Sequence, residues 1–204
     1  LVVFGTGAIA AVADPDFTLD TASDLRANSN QADMIVIANP NVLGALSQAT
    51  LSQLLAYHGT KGVTSKIAML QDVYDEFGDG LPGPSAIRNF LSYAYHNWNG
   101  SPSYVLFAGD ASEAYKLAQD RALFQVPTHL EQGVSPYEDA VASDTWLCCV
   151  SGTDIYPDII SGRIPIATLT EAQSRVDKII AYDNSPDTSG WRRNAVFHAD
   201  DASV

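Results

Sequence analysis

Positive charge is scarce in this chain of 204 residues, which has 11 Lys and Arg against 24 Asp and Glu. The formal net charge of −13 argues against a nucleic-acid backbone or an anionic membrane as partner, because both would repel the chain. Long apolar runs are also lacking, so the sequence predicts no transmembrane helix. No basic segment followed by an apolar one begins the chain. Because residue 1 is Leu rather than Met, we interpret the chain as an excised or processed piece.

Cysteine is nearly absent, and the two thiols, Cys148 and Cys149, are adjacent. Adjacent cysteines rarely bridge, since a disulfide needs suitably placed Cα atoms and converging side chains. We interpret both as small apolar residues of a strand predicted over 145–150. A catalytic thiolate would need a histidine partner and electropositive surroundings, which the neighbouring sequence does not provide. Two such cysteines do not settle the redox compartment.

Short apolar runs alternate with helical patterns along most of the chain. The run at 34–38 predicts a strand buried on both faces, the run at 63–70 a second strand, and the run at 104–108 a third, buried strand. Apolar residues at helical spacing predict helices from Leu43 to a stop at Gly59, from Pro84 to Trp98, and over 168–182. This alternation predicts an α/β fold with three layers: a mostly parallel sheet, helices on both faces and right-handed crossovers.

The remaining segments are less periodic. Residues 1–31 are interpreted as the end of a preceding domain or a linker, and 32–204 as the α/β domain. Gly5-Thr6-Gly7 lacks the third glycine and the acidic residue of a dinucleotide-binding motif. Residues 111–140 predict a long excursion with one short helix. The apolar run within 194–199 predicts a fourth core strand, followed by Asp200 and Asp201.

Two carboxylates bracket a predicted turn in the stretch that runs from Gly152 to Pro165. Asp154 and Asp158 would supply side-chain oxygens to a cation, and Gly152 and Tyr156 would supply backbone carbonyls between them. Ca²⁺ takes 6–8 oxygen ligands, so a further carboxylate is needed. We predict that it comes from Asp110, at the end of the strand 104–108, because loops beyond strand ends are where sites are built. An acidic, calcium-rich extracellular setting suits the net charge.

A purely structural interpretation of the same stretch also stands. Asp and Gly are the commonest turn residues, and this loop does not match the helix-flanked twelve-residue calcium loop. Asp158 would then cap or bend the turn without binding any metal.

The four histidines carry weak signals. His58 and His96 fall near the ends of predicted helices, where the helix dipole favours a cation, and are interpreted as structural. His129 lies in a loop and its role is open. His198 falls near carboxylates at a predicted strand end, which would suit a base, but alternation favours a half-buried structural residue.

Several of these stretches together resemble the gingipain-like cysteine peptidases. The resemblance covers roughly residues 20–201 and is carried by the order and spacing of motifs that are each weak alone. These motifs are Asp72-Val73-Tyr74-Asp75-Glu76-Phe77, Ala86-Ile87-Arg88-Asn89-Phe90-Leu91, Tyr104-Val105-Leu106-Phe107-Ala108-Gly109-Asp110-Ala111-Ser112, Ala142-Ser143-Asp144, Tyr156-Pro157-Asp158, Gly162-Arg163-Ile164-Pro165 and Val176-Asp177-Lys178-Ile179-Ile180-Ala181-Tyr182.

The resemblance implies the first of two α/β subdomains in a secreted or surface-bound bacterial cysteine peptidase. It implies calcium held by Asp110, Asp154, the Tyr156 carbonyl and Asp158, with Gly152 a weaker candidate. The family's catalytic His, followed by Gly, and its catalytic Cys belong to the second subdomain. We find no counterpart of either here, so no residue of this chain is predicted to be catalytic.

Two functions are therefore weighed. The first is the calcium-stabilised first subdomain of a cysteine endopeptidase, whose partners are the catalytic subdomain and a protein or peptide substrate. The alternative is a non-catalytic, calcium-bound surface, secretion or binding module on the same fold. A missing His-Gly or Cys in the following sequence would favour the alternative.

Overall fold

A computed structural model describes residues 22–39, 45–111, 126–131, 140–187 and 189–197. The Gly5-Thr6-Gly7 motif, Leu43, most of the 111–140 excursion, and His198 with Asp200 and Asp201 lie outside these ranges. In chain order the elements are β1 (Met34–Ala38), α1 (Ala45–Thr60), β2 (Ser65–Met69), α2 (Leu70–Phe77), α3 (Pro84–Asn97), β3 (Tyr104–Ala108), β4 (His129–Glu131), β5 (Val141–Ser143), α4 (Asp144–Cys148), β6 (Ile160–Ile164), α5 (Leu169–Asp183) and a 3₁₀ turn (Gly190–Arg193).

The centre of the molecule is a four-stranded sheet in the order β2-β1-β3-β6, and every pair in it is parallel. β1 is buried on both faces because all five of its residues are apolar. Ile35 and Ile37 point to one core cluster, and Val36 points to another. β4 and β5 form a separate antiparallel pair. The predicted α/β class, with a mostly parallel sheet, is confirmed.

Helices cover both faces of the sheet. α2, α3 and α4 pack on the face that carries Ile35 and Phe107. α1 and α5 pack on the other face, where Leu54 of α1 meets Ala172 and Val176 of α5. α5 begins at an N-cap because the Thr168 hydroxyl accepts a hydrogen bond from the Glu171 amide at 3.3 Å. The three-layer arrangement predicted from the periodicity is therefore present.

The position of α5 has a topological consequence. α1 carries the chain from β1 outward to β2 on one face, and α2 with α3 carries it back across β1 to β3 on the other face. Crossovers are right-handed in about 98% of parallel connections, so direction and face are linked. A right-handed crossover through α5, which lies on the α1 face, would carry the chain from β6 back in the direction of β2. The positions next to β6 on that side are already filled by other strands. The strand after α5 is therefore not expected beside β6.

The predicted strand over 194–199 is wrong for its described part. Residues 190–193 form a 3₁₀ turn and 194–197 have no regular structure. Val196 and Phe197 are 90% and 94% exposed. The apolar pattern indicated a buried strand, but the crossover geometry gives this segment no place in the sheet.

Residues 22–31 belong to the domain, which corrects the boundary placed after residue 31. Leu25 is only 2% exposed and lies in the main core cluster. Its carbonyl accepts a hydrogen bond of 2.9 Å from Nε1 of the buried Trp98. Lys66 Nζ bonds both Asp24 Oδ1 and Asn30 Oδ1 at 2.9 Å. Because residues 22–31 are mostly polar, their composition did not show that Leu25 is a core residue or that several of the polar residues bond to the rest of the domain.

Candidate functional site

The acidic turn is a loop that Asp158 closes. Oδ2 of Asp158 accepts hydrogen bonds from the backbone amides of Val150 and Ser151 at 2.8 and 2.7 Å. The Asp158 amide in turn donates to the Cys148 carbonyl at 2.9 Å. Gly152 has φ +71°, a left-handed conformation in which glycine is strongly preferred. The sequence and the turn chemistry together fix the loop onto the end of α4.

Asp154 shapes the tip of the same loop. Its Oδ1 accepts a hydrogen bond from the Tyr156 amide at 2.9 Å, the local bond by which Asp stabilises turns. Ile155 and Tyr156 are 82% and 75% exposed. The two carboxylates of this loop that are predicted as metal ligands therefore already accept hydrogen bonds from backbone amides, and each has one oxygen outside these bonds.

Asp110 lies at the other end of the sheet. It follows the carboxyl end of β3, where the Gly109 amide bonds the Ile164 carbonyl. Asp158 precedes the amino end of β6, where the Ile160 amide bonds the Ser103 carbonyl. The intervening five-residue strands alone separate the two ends by about 13 Å, at ~3.3 Å per residue. The five predicted ligands are thus divided between the carboxyl end and the amino end of the strands in the sheet.

This division bears on the fit to calcium. Within the described ranges, no three His, Cys, Asp or Glu side chains converge in a metal-binding arrangement. The turn offers two carboxylates and the carbonyls of Gly152 and Tyr156, which is fewer than the 6–8 oxygens that Ca²⁺ takes. Asp110 therefore lies apart from the other four predicted ligands, and the calcium site stays a prediction.

The cysteine pair ends the helix α4 rather than forming part of a strand, which corrects the strand predicted over 145–150. The Ser143 hydroxyl accepts a hydrogen bond from the Trp146 amide at 3.3 Å and caps this helix. Cys148 is fully buried against the core, and burial raises its pKa to about 12. Burial, and then the negative charge of Asp158, also raise the pKa of Cys149. Both sulfurs are therefore protonated at neutral pH.

Alkylation should report this protonation directly. At pH 7.5 we expect iodoacetamide to modify Cys148 roughly a thousandfold more slowly than a free thiol, because a pKa near 12 leaves that much less thiolate than an ordinary pKa of about 8.5. Cys149 should react at an intermediate rate that rises with pH. Mass spectrometry of peptides after timed quenching measures both rates. Equal labelling of the native and urea-unfolded chains would contradict the burial of Cys148.

The described histidines are distributed over separate elements. His58 lies in the last turn of α1 and His96 in the last turn of α3, as predicted. His96 Nε2 lies 3.2 Å from the Val150 carbonyl oxygen. His129 stacks on Trp146 with 3.9 Å between ring centroids, and Arg88 lies 4.4 Å from the centroid of the same Trp ring. These contacts give structural roles to His96 and His129.

A partly buried ion pair that the sequence reasoning missed organises the carboxyl end of the sheet. Arg163 of β6 donates from Nε and Nη2 to the two carboxylate oxygens of Asp144, at 2.8 and 2.7 Å. Its Nη1 donates to the carbonyls of Gly109 and Val126, each at 2.9 Å. One side chain thus ties β6, α4 and the loop after β3 together. An Arg between the apolar ends of a short strand, Ile160 and Ile164, was the available signal, because a charge removed from water needs a partner.

The parallel sheet and its two helical layers define an α/β domain of a kind that builds sites beyond its strand ends. The sequence profile of peptidase family C25 matches residues 27–203. The chain belongs to peptidase family C25, the gingipain-like cysteine peptidases. Among curated proteins, none matches the chain significantly.

Solved structures that share the fold include those of latent PorU and gingipain R. Latent PorU from Porphyromonas gingivalis, a dimer in its crystal structure, matches with a TM-score of 0.61 and 21% identity. The match covers 83% of this chain and 17% of that one. Gingipain R, an Arg-specific cysteine proteinase, matches with a TM-score of 0.51 and 19% identity, over 80% of this chain and 30% of its own. This chain therefore spans less than a third of either structure.

Proposed function

We propose that this chain is the first, non-catalytic subdomain of a secreted bacterial gingipain-like cysteine endopeptidase, whose catalytic His and Cys lie in the sequence that follows. One observation carries the proposal: the match to the peptidase family extends over residues 27–203, yet neither thiol in that range is suited to act as a nucleophile. Cys148 is buried in the core, and the Cys149 Sγ donates to the Thr145 carbonyl at 3.3 Å.

The topology supports a second unit. Because α5 lies on the face of α1, the chain after Asn184 has no right-handed route to a position beside β6. A β-prone segment that leaves one sheet in this way suits the first strand of another. In the whole enzyme, a thiolate of that second unit would attack the scissile carbonyl, and a His would serve as acid and base. The present unit would hold that unit in place.

Peptidase activity is the decisive assay. We expect the 204-residue chain to hydrolyse no peptide in a fluorogenic library, and the polypeptide from its complete gene to hydrolyse some of them. Substitution of Cys149 by Ala in the long form should leave this activity unchanged. Hydrolysis by the short chain that Cys149→Ala abolishes would contradict the proposal, as would a long form with no activity and no His-Gly or Cys after residue 204.

Calcium stabilisation is the second part of the proposal, confined to the turn 152–158. The support is the acidic character of the loop and the second oxygen of each of Asp154 and Asp158, which accepts none of the hydrogen bonds described above. Saturating calcium, at about a hundredfold its Kd, should stabilise the chain by about 2.7 kcal/mol relative to EDTA. Asp154→Asn should remove this difference, as measured by thermal unfolding.

Asp110→Asn is the matched control, because it makes the same chemical change at the opposite end of the strands. It should leave the calcium response intact. If EDTA has no effect on the wild type, the turn binds no calcium and Asp158 acts only as a cap. The same result would also remove calcium from the alternative, a non-catalytic surface or secretion module.

Secretion, and the protein or peptide substrates of the whole enzyme, are part of the same proposal. Their support is membership of the peptidase family and the strongly acidic composition. In the described part of the chain, the helices are too short or too polar to cross a membrane.

A further inference from the structure

An apolar groove opens at the amino end of the sheet on the α1 and α5 face. It has a volume of about 290 Å³, and the atoms that line it are almost all apolar. Tyr104 and Ile160 form its floor on the adjacent strands β3 and β6, while His58 of α1 and Ile179 of α5 form its walls. Gly162, which has no side chain, leaves its centre open. This volume is about twice that of the ~150 Å³ apolar cavity that takes up benzene.

The groove is joined to an unpaired backbone edge. Within the described residues β6 pairs only with β3, so its outer edge offers free amide and carbonyl groups. Ile160 is 62% exposed and Tyr104 is 42% exposed, although they lie side by side in the sheet. Contiguous exposed apolar surface with a free strand edge is typical of a protein interface.

The path of the chain indicates what covers this surface. α5 ends at Asp183, and the Asn184 side chain bonds the Tyr57 hydroxyl at 3.3 Å, next to His58 in the groove wall. The chain therefore leaves α5 beside the groove, and whatever follows residue 197 is tethered to that point by residues 185–197, which raises its effective concentration near the groove. A second copy is disfavoured by its charge, since each chain carries −13.

We propose that this groove, with the free edge of β6, is the docking face for the α/β unit that follows residue 197 in the same polypeptide. A large apolar side chain of that unit fills the space over Gly162, which lies two residues beyond Ile160 on β6 and beside Leu106 of β3. The inference rests on the proposed two-subdomain organisation and names the surface through which the subdomains meet. It assigns no catalytic role to any residue of the groove.

The test uses the polypeptide encoded by the complete gene. Its Ile160→Asp variant is compared with the matched control variant Val141→Asp. Val141 is also a β-branched strand residue, 57% exposed, but lies on β5 away from the groove. We expect Ile160→Asp to speed limited proteolysis within 184–197 by about tenfold and to split thermal unfolding into two transitions. Val141→Asp should do neither. In the 204-residue chain, Ile160→Asp should leave the Tm unchanged, because the side chain is already exposed.

Three outcomes would overturn the docking face. One is a long form whose proteolysis and unfolding Ile160→Asp leaves unchanged. Another is a 204-residue chain that forms dimers in light scattering which Ile160→Asp dissociates, because a second copy would then be the occupant. The third is a gene that ends at codon 204.

Peptidase activity separates this inference from the proposed function. An active long form with unchanged proteolysis overturns the docking face alone. If the long form is inactive but shows the expected proteolysis, the docking face is supported and the proposed peptidase function is contradicted.

Discussion

Replacement of Arg163 by Met is expected to lower the free energy of unfolding by about 3 kcal/mol, the usual range for breaking a buried ion pair from one side being about 3–5 kcal/mol. The pair is only 15% and 27% exposed, so we place the effect at the lower end. The variant loses two bonds to Asp144 and leaves the Gly109 and Val126 carbonyls without their donor. Urea unfolding followed by circular dichroism measures the change.

Arg175→Met is the control for Arg163→Met. Arg175 is exposed on α5, so its substitution should stay within about 0.5 kcal/mol of the wild type. The double variant Arg163→Met with Asp144→Leu should recover part of the loss, because it removes the unpaired carboxylate. If Arg163→Met is as mild as Arg175→Met, the pair does not hold the carboxyl end of the sheet together.

The same ion pair predicts a dependence on pH. Burial acts to raise the pKa of Asp144, but the hydrogen bonds and the charge of Arg163 outweigh it and lower the pKa overall. A carboxyl whose folded pKa is depressed stabilises the protein above its unfolded pKa of about 3.9 and loses that contribution as pH falls through the folded value. The wild type should therefore lose more stability than Arg163→Met when the pH is lowered from 5 toward 2.

Replacement of Leu25 by Ala is expected to destabilise the chain by about 3 kcal/mol, the cost typical of emptying a fully buried leucine site. Leu25 is 2% exposed within the main core cluster, although its neighbours in sequence are polar. A linker residue would give no such effect. Denaturant unfolding of the purified chain provides the measurement.

Leu81→Ala makes the same chemical change at a surface site, since Leu81 is 71% exposed. It should alter the free energy of unfolding by less than about 0.5 kcal/mol. A Leu25→Ala variant that unfolds at the wild-type midpoint would return residues 22–31 to the linker that their composition suggested.

The sequence predicted those elements whose side chains carry a complete pattern. β1 and β3 were recognisable because a short, uninterrupted apolar run between polar segments is typical of a strand in the middle of a parallel sheet. α3 was recognisable from Pro84 at its first turn and from apolar residues on one side, such as Phe90. α2 was hidden, because β2 ends at Met69 and the helix begins at Leu70 without a break in hydrophobicity.

The predictions from sequence failed where tertiary contacts outweighed the local pattern of apolar and polar residues. The run from Thr145 to Val150 resembles a strand in composition, yet the Ser143 cap turns it into a helix that packs on α3. The segment 194–197 has strand composition but no sheet position to occupy. A local window of sequence shows neither the hydrogen-bond partner of the Ser143 cap nor the handedness of the crossover connection.

The separation of Asp110 from the acidic turn follows from the direction of the strands. Asp110 follows a strand and Asp158 precedes one, and in a parallel sheet these positions lie at opposite ends of the strands. Resemblance and turn chemistry both drew attention to these carboxylates, but neither considers strand direction. The hydrogen bonds that the Val150 and Ser151 amides donate to Asp158 depend on side-chain geometry that no local sequence pattern shows.

The outer edge of β6, which is unpaired within the described ranges of the chain, also has a consequence for biosynthesis. A ribosome adds roughly 5–20 residues per second, so a following domain of about 150 residues would take about 8–30 s to emerge. During that interval β6 would present an uncovered strand whose Arg163 guanidinium is turned inward to Asp144 and cannot serve as an edge charge. We expect nascent chains to aggregate through this strand when translation stalls. Slower growth at low temperature, or a co-expressed holdase chaperone, should therefore improve soluble yield more than any stabilisation of the core.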